Sequence, residues 1–131
     1  MMAAVKHKDS RAELALRREL HARGVRYRIH AKDVLGCPDI VVRKRGVAVF
    51  VDGDFWHGNA HNRRGLKNLE DLFPSNKEFW VPKIRRTIER DQEVTARLQA
   101  AGWQVVRLWE EDVLEAPTAA ADTVEHLLRG R

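Results

Sequence analysis

Cysteine is almost missing from this chain. Cys37 stands alone among 131 residues, which excludes an internal disulfide framework and a zinc site built from several thiolates. Long apolar runs are missing as well. The longest, Val47 to Val51, is far too short to cross a bilayer. The opening MMAAVKHKDS lacks the apolar segment of a secretory signal. There is no internal repeat, low-complexity tract, linker or heptad seam. The expectation is a cytoplasmic chain with no membrane partner, monomeric, with residues 1–131 folding as a single domain and residues 1–8 flexible.

Charge is abundant. With 24 Lys and Arg against 19 Asp and Glu, the formal net charge is +5. A hydrophobic fraction of 44% beside 33% charged residues suits a globular fold, not a disordered one. The basic residues come in clusters: Arg17 and Arg18; Arg23, Arg26 and Arg28; Arg43, Lys44 and Arg45; Arg63, Arg64 and Lys67; Lys83, Arg85 and Arg86. A phosphate backbone is the polyanion that suits such clusters.

Ser10, three residues before Glu13, predicts a helix opened by a capping box, with Gly24 placed to stop it. Val25 to His30 alternates apolar and basic residues at strand period. Asp39 to Val42 and Val47 to Val51, divided by RKRG, predict a hairpin with a buried second strand. Residues 53–75 read as a long irregular loop. A helix is expected from near Asn76, interrupted or restarted at Pro82, with Ile84, Ile88, Val94 and Leu98 inward. A strand over Trp103 to Trp109 and a helix over roughly 119–128 complete the order α-β-β-β-α-β-α, an α/β fold with a mixed sheet flanked by helices.

The chemistry concentrates in VDGDFWHGNAH, residues 51–61. If Arg45 and Gly46 formed a two-residue turn, Asp39 would lie directly opposite Asp52, and two carboxylates so close call for a cation between them. A one-residue slip would set Asp39 opposite Val51 and bring in that residue's carbonyl instead. Hard cations such as Mg2+ take such oxygen donors. His57 is a proton carrier for neutral pH. His57 and His61 have an i, i+4 spacing, but Gly58 between them argues against a helix. Phe55 and Trp56 suit either the core of a folded-back loop or a wedge between base steps, with Trp80 as a further aromatic surface. Glu13 is explained by the capping box, and Asp91 by a solvated helix face, unless the fold brings them beside Asp39.

With AELALRRELHARGVRYRIH, GCPDIVV, VAVFVDGDFWHG, NKEFWVPKI and ERDQEVTARLQAAGWQVVRLWEED in order, the chain resembles the very-short-patch-repair (Vsr) endonuclease family over roughly residues 6–112. The resemblance implies the PD-(D/E)xK, restriction-endonuclease-like core and a Mg2+-dependent endonuclease nicking double-stranded DNA at a mismatched or distorted site in repair. It implies Asp39 as the main metal ligand, a carbonyl ligand from Val51, Asp52 at or beside the metal, His57 as general base, and Asp91 and Glu13 as supporting acids. Phe55, Trp56 and Trp80 match intercalating aromatics, and Arg63, Arg64 and Lys83 are expected on the backbone. One departure stands out. Where the family carries zinc ligands this chain has Asp54, Asn59, His61 and Glu111, so a structural zinc is not expected. A pair between Asp54 and a basic residue is one way to hold the loop; ordering on DNA is another. Two other readings remain: a defence- or restriction-associated nuclease whose specificity comes from a partner protein, and a DNA-binding module that has lost catalysis.

Overall fold

The structure is a computed structural model and describes residues 9–130; the flexibility expected of residues 1–8 lies outside them. Helix α1 spans Arg11–Ala22. The Ser10 side chain accepts from the Glu13 N–H at 3.2 Å, as an N-cap should. The other half of the box differs from expectation: Glu13 accepts from the N–H of Asp9, not of Ser10. Gly24 follows the helix as expected, and Val25 bonds back to the Leu20 carbonyl.

Four strands form one sheet in the order β1-β2-β3-β4: Arg28–Ile29, Ile40–Val42, Val47–Asp52 and Gln104–Trp109. The first two pairings are antiparallel and β3–β4 is parallel. The alternation over Val25 to His30 produces only two residues of strand. All six residues of β3 are buried, which its unbroken apolar run requires of a central strand. The hairpin corrects the expected register. Arg43–Arg45 tighten into a 3-10 turn, closed by Gly46 at φ 65, a left-handed conformation that glycine adopts without strain. Four residues thus connect the strands, not two. Val42 pairs with Val47 and Ile40 with Val49, so Asp39 comes opposite Phe50, neither Asp52 nor Val51.

The long connection after β3 contains a short helix α2, Ala60–Arg63, and a 3-10 turn, Leu69–Leu72. Helix α3 runs unbroken over Lys77–Ala100 with Pro82 inside it. Proline there removes one hydrogen bond near the N-terminus, too little to stop a helix whose Ile84 and Leu98 are buried. Helices α4, Glu110–Glu115, and α5, Pro117–Arg129, follow β4; α5 opens on proline, which suits a first helical position.

The sheet is covered on both faces. Leu16 and Leu20 of α1, Val113 of α4 and Val124 of α5 pack on Ile40, Val47 and Val49. Leu98 and Val94 of α3 pack with Val41, Ala48 and Phe50. A third cluster, Leu69, Phe73, Val81 and Ile84, fastens the long connection to α3. Among the described residues no helix is long and apolar enough to cross a membrane.

Candidate active site

The C-terminal end of β3, the segment before β2 and the middle of α3 enclose a cavity of about 420 Å3, lined among others by Glu13, Asp39, Val51, Asp52, His57, Asp91 and Arg107. Five acidic or imidazole side chains singled out in the sequence therefore converge, from stretches as far apart as α1 and α3.

Asp39 accepts the Val51 N–H at 2.7 Å through Oδ2. The N–H and C=O of one extended residue leave by the same strand edge, so the Val51 carbonyl faces that edge too. Burial first, and then the Glu13 carboxyl hydrogen-bonded to it, push Asp39 up to about 7, against the downward pull of the Val51 N–H. Two carboxyls bonded to each other need a proton between them. Glu13 is 3% exposed and also meets Arg17 at 3.1 Å and His30 Nε2 at 3.1 Å.

Asp52 is buried, and Arg107 Nη1 reaches its two oxygens at 3.3 and 3.1 Å. Burial raises the Asp52 carboxyl, opposed by His57 and Arg107. The Arg107 guanidinium also donates to the Asp91 carbonyl and, through Nε, to Thr95 Oγ1 at 2.8 Å; its Cζ lies 4.1 Å from the centre of the Phe50 ring. Arg107 is not among the residues expected at the site. The only signal was an arginine inside the otherwise apolar run QVVRLW.

His57 Nδ1 lies 2.5 Å from Asp91 Oδ2, and Nε2 lies 3.9 Å from Asp52 Oδ1. An ionised carboxylate only accepts, so Nδ1 carries a hydrogen and Nε2 is the nitrogen left for chemistry. Burial works against the imidazolium, yet the Asp91 bond and the charges of Asp52 and Asp91 leave His57 above its usual value. Gly58, at φ +86, holds the loop against α3. A Cβ there would stand 2.4 Å from Ile88 Cδ1 and 2.7 Å from its Cγ1. Gly58→Ala is accordingly expected to cost about 1–3 kcal/mol by backbone strain and overpacking and to lift His57 away from Asp91. Thermal denaturation and a DNA nicking assay on the same preparation check this; an active, equally stable variant would show that the loop is not so held.

The aromatics pack together. Phe55 meets Trp56, Phe73 and Trp80 with centroids 5.0, 6.1 and 5.5 Å apart. Phe55 and Trp80 lean on the third core cluster, while Trp56 borders the cavity lined by Asp39 and His57. Phe79, to which the sequence attaches no role, is 56% exposed, with Lys83 Nζ 5.1 Å over its ring. Arg64 and Lys83 are exposed. Arg63 is not open to solvent contacts in the same way: its guanidinium binds Asp54 at 2.8 Å, Glu111 at 3.1 Å and Asp112 at 3.1 Å. Asp54 further accepts from Asn59 Nδ2 and from the Glu111 N–H. A guanidinium centred among hard oxygen donors does not fit a thiolate zinc site, and it ties the loop after β3 to the start of α4.

The family model described as DNA mismatch endonuclease Vsr matches residues 1–63. The chain is 42% identical, over 99% of its length and 84% of the relative's, to the type II nicking enzyme V.NmeDIP of Neisseria meningitidis serogroup C. It is 38% identical to the type II nicking enzyme V.HpaIIP of Haemophilus parainfluenzae over 89% of this chain and 79% of that one. It is 33% identical to the DNA mismatch endonuclease Vsr of Escherichia coli (strain K12), over 83% of this chain and 66% of that protein.

Proposed function

Because the chain belongs to the Vsr family of DNA endonucleases, we propose that it is a divalent-metal-dependent endonuclease that nicks one strand of a DNA duplex. The observation that carries this reading is the convergence of Asp39, Asp52, His57, Asp91 and Glu13 on one cavity, with His57 already oriented by Asp91. A scaffold that only bound DNA would need none of that arrangement.

Asp39 and the Val51 carbonyl offer the oxygen donors that Mg2+ prefers, leaving room for waters and phosphate oxygens. Asp52 suits a direct ligand less well, since both its oxygens already take N–H groups of Arg107; it would act through water. When bound, the cation polarises the scissile phosphate and stabilises the leaving oxygen. His57 Nε2 removes a proton from the attacking water as the oxygen–phosphorus bond forms and the bond to the leaving oxygen breaks. Asp91 keeps the ring in the useful tautomer and steadies the imidazolium that results. Arg107 opposes the burial that raises the Asp52 carboxyl and ties β3, β4 and α3 together at the reacting centre. Arg64, Lys83 and the exposed ring of Phe79 suit the duplex beside it, with Trp56 and Trp80 behind; Arg63 serves as a strut for the loop.

Arg107→Met should lower nicking by about 10–100-fold and stability by about 2–4 kcal/mol, because it leaves a buried carboxylate without its counter-charge. Arg107→Lys should fall between, having the charge but not the fork. Rates and melting temperatures of the three proteins test this, and a Met variant indistinguishable from wild type refutes the role. The substrate is tested by comparing nicking of otherwise identical matched and T·G-mismatched duplexes in Mg2+. Preference for the mismatch supports repair, since unstacking is least costly there. Equal cutting favours the nicking activity named for the nearer relatives, with specificity set by sequence or by a partner protein. No Mg2+-dependent cutting of either refutes the enzyme.

A further inference from the structure

Three donors converge on one oxygen of Glu13. The Asp9 N–H, Arg17 Nη2 and His30 Nε2 each lie 3.1 Å from its Oε1. That oxygen is fully taken up. Oε2 is left for the Asp39 carboxyl to which Glu13 is bonded, and for the cavity that both residues line. Asp9, Glu13 and His30 lie close enough together to hold a cation. The Arg17 guanidinium, however, already pairs with both carboxylates and supplies the positive charge there. The cluster is a clamp on one carboxyl, not a second metal site.

Of the three donors, His30 is the one tied to Asp39 as well. Its N–H donates to the Asp39 carbonyl at 3.1 Å, one step beyond the Ile29–Ile40 pair that ends the β1–β2 ladder. A single residue thus holds the backbone of one member of the Asp39–Glu13 pair and the side chain of the other. It does so at φ 48, a left-handed conformation that costs any residue with a Cβ, asparagine and aspartate least. A costly backbone persists where its surroundings need the side chain it carries. The imidazole is 14% exposed and is not among the groups lining the cavity, so its effect on the reaction passes through Glu13.

We propose that His30 is a positioning residue. It orients the Glu13 carboxyl so that Oε2, not Oε1, faces Asp39, and thereby sets how firmly the Asp39 side of the cavity takes a divalent cation. A carboxyl already turned to the site need not be ordered when the cation arrives. The choice of a divalent cation as the bound group rests on the endonuclease reading.

Two substitutions separate this role from one in the turn alone. Glutamine brings an amide N–H to the place of Nε2 but fits the left-handed backbone poorly. Asparagine accepts that backbone, and its amide reaches only to the place of Nδ1. Nicking rate is measured beside the Mg2+ concentration that half-saturates the rise in melting temperature, a readout that needs no catalysis. His30→Asn should lower nicking about 10- to 100-fold and raise that Mg2+ concentration about 10-fold, whereas His30→Gln should stay within about threefold of wild type in both. In a Glu13→Gln background the further change His30→Asn should cost less than about twofold, since a residue that acts through another is not additive with it. An asparagine variant equal to or better than the glutamine variant in both readouts overturns the role and leaves the endonuclease reading standing, because a residue that only shaped the turn ranks them that way. Full additivity with Glu13→Gln overturns it too. The expected order of Mg2+ concentrations in a protein that nicks no duplex keeps His30 in its role and removes the endonuclease reading.

Discussion

Asp39→Asn is expected to reduce Mg2+-dependent nicking by at least about 1,000-fold, because it removes the one charged oxygen donor facing the Val51 edge while leaving the shape of the site intact. Stability should move the other way. The Asp39 carboxyl is held up at about 7, chiefly by burial and then by Glu13, against an ordinary value near 3.9. The folded state therefore binds the proton more tightly than the unfolded chain does. Between about pH 4 and 7 the unfolded state holds fewer protons, so metal-free stability falls as pH rises, by at most ~4 kcal/mol from Asp39. Asparagine mimics the protonated form and cannot ionise, so the variant's melting temperature in EDTA should vary less over this range and exceed that of wild type above pH 7. Mg2+ should raise the melting temperature of wild type at pH 7.5 and not that of the variant. A variant that cuts within tenfold of wild type, or gains as much from Mg2+, would remove Asp39 from the metal.

His57→Ala should cost about 100- to 10,000-fold in the rate of the chemical step, the range for losing a positioned proton acceptor. A merely structural histidine could lower the rate too, so the more discriminating measurement is the pH profile. The neutral imidazole is the working form and its proton is held more tightly than usual because of Asp91 and Asp52. The ascending limb of rate against pH should then have its midpoint above about 6.5. Asp91→Asn removes the strongest of the supports. Its limb should move to lower pH even as its maximal rate falls, since the imidazolium has lost its carboxylate. A limb that stays in place in Asp91→Asn would separate His57 from the titrating group.

Much of the frame was legible because its signals are local. Ser10 and Gly24 bracket α1, the run Val47 to Val51 reads as a central strand, and Ile84 to Leu98 shows the buried stripe of α3. The errors came where short-range geometry overrode pattern. RKRG admits a two-residue turn on paper, but Arg43–Arg45 wind into a 3-10 turn and shift every cross-strand pair. Pro82 looked like a restart because one missing hydrogen bond is a poor guide to whether the helix goes on around it. Helix α2 is four residues long, too short for any periodicity to declare itself. In the site, the acidic and imidazole residues were visible as chemistry, but which of them meet is a tertiary fact. Arg107 was hidden for that reason. Its partner Asp52 is remote in sequence, and an arginine in a strand ordinarily points to water. Arg63 was likewise read as one of a basic pair, while its three carboxylate partners lie before it on the loop and beyond it on α4.

Pro82 has a mechanical side as well. It stands between Phe79 and Trp80 on the first turn of α3 and Asp91 two to three turns further along, and it deletes the one rung that would have bonded to the Glu78 carbonyl. The helix thus lacks one hydrogen bond just behind its aromatic end, where the buried Val81 and Ile84 hold it instead. Beyond that point, Ile84 and Leu98 clamp it to the rest of the molecule. Val81 and Trp80 on the near side of Pro82 and Ile84 on the far side all pack into the third cluster, so the rod that presents the aromatic rings at one end carries Asp91 in fixed register at the other.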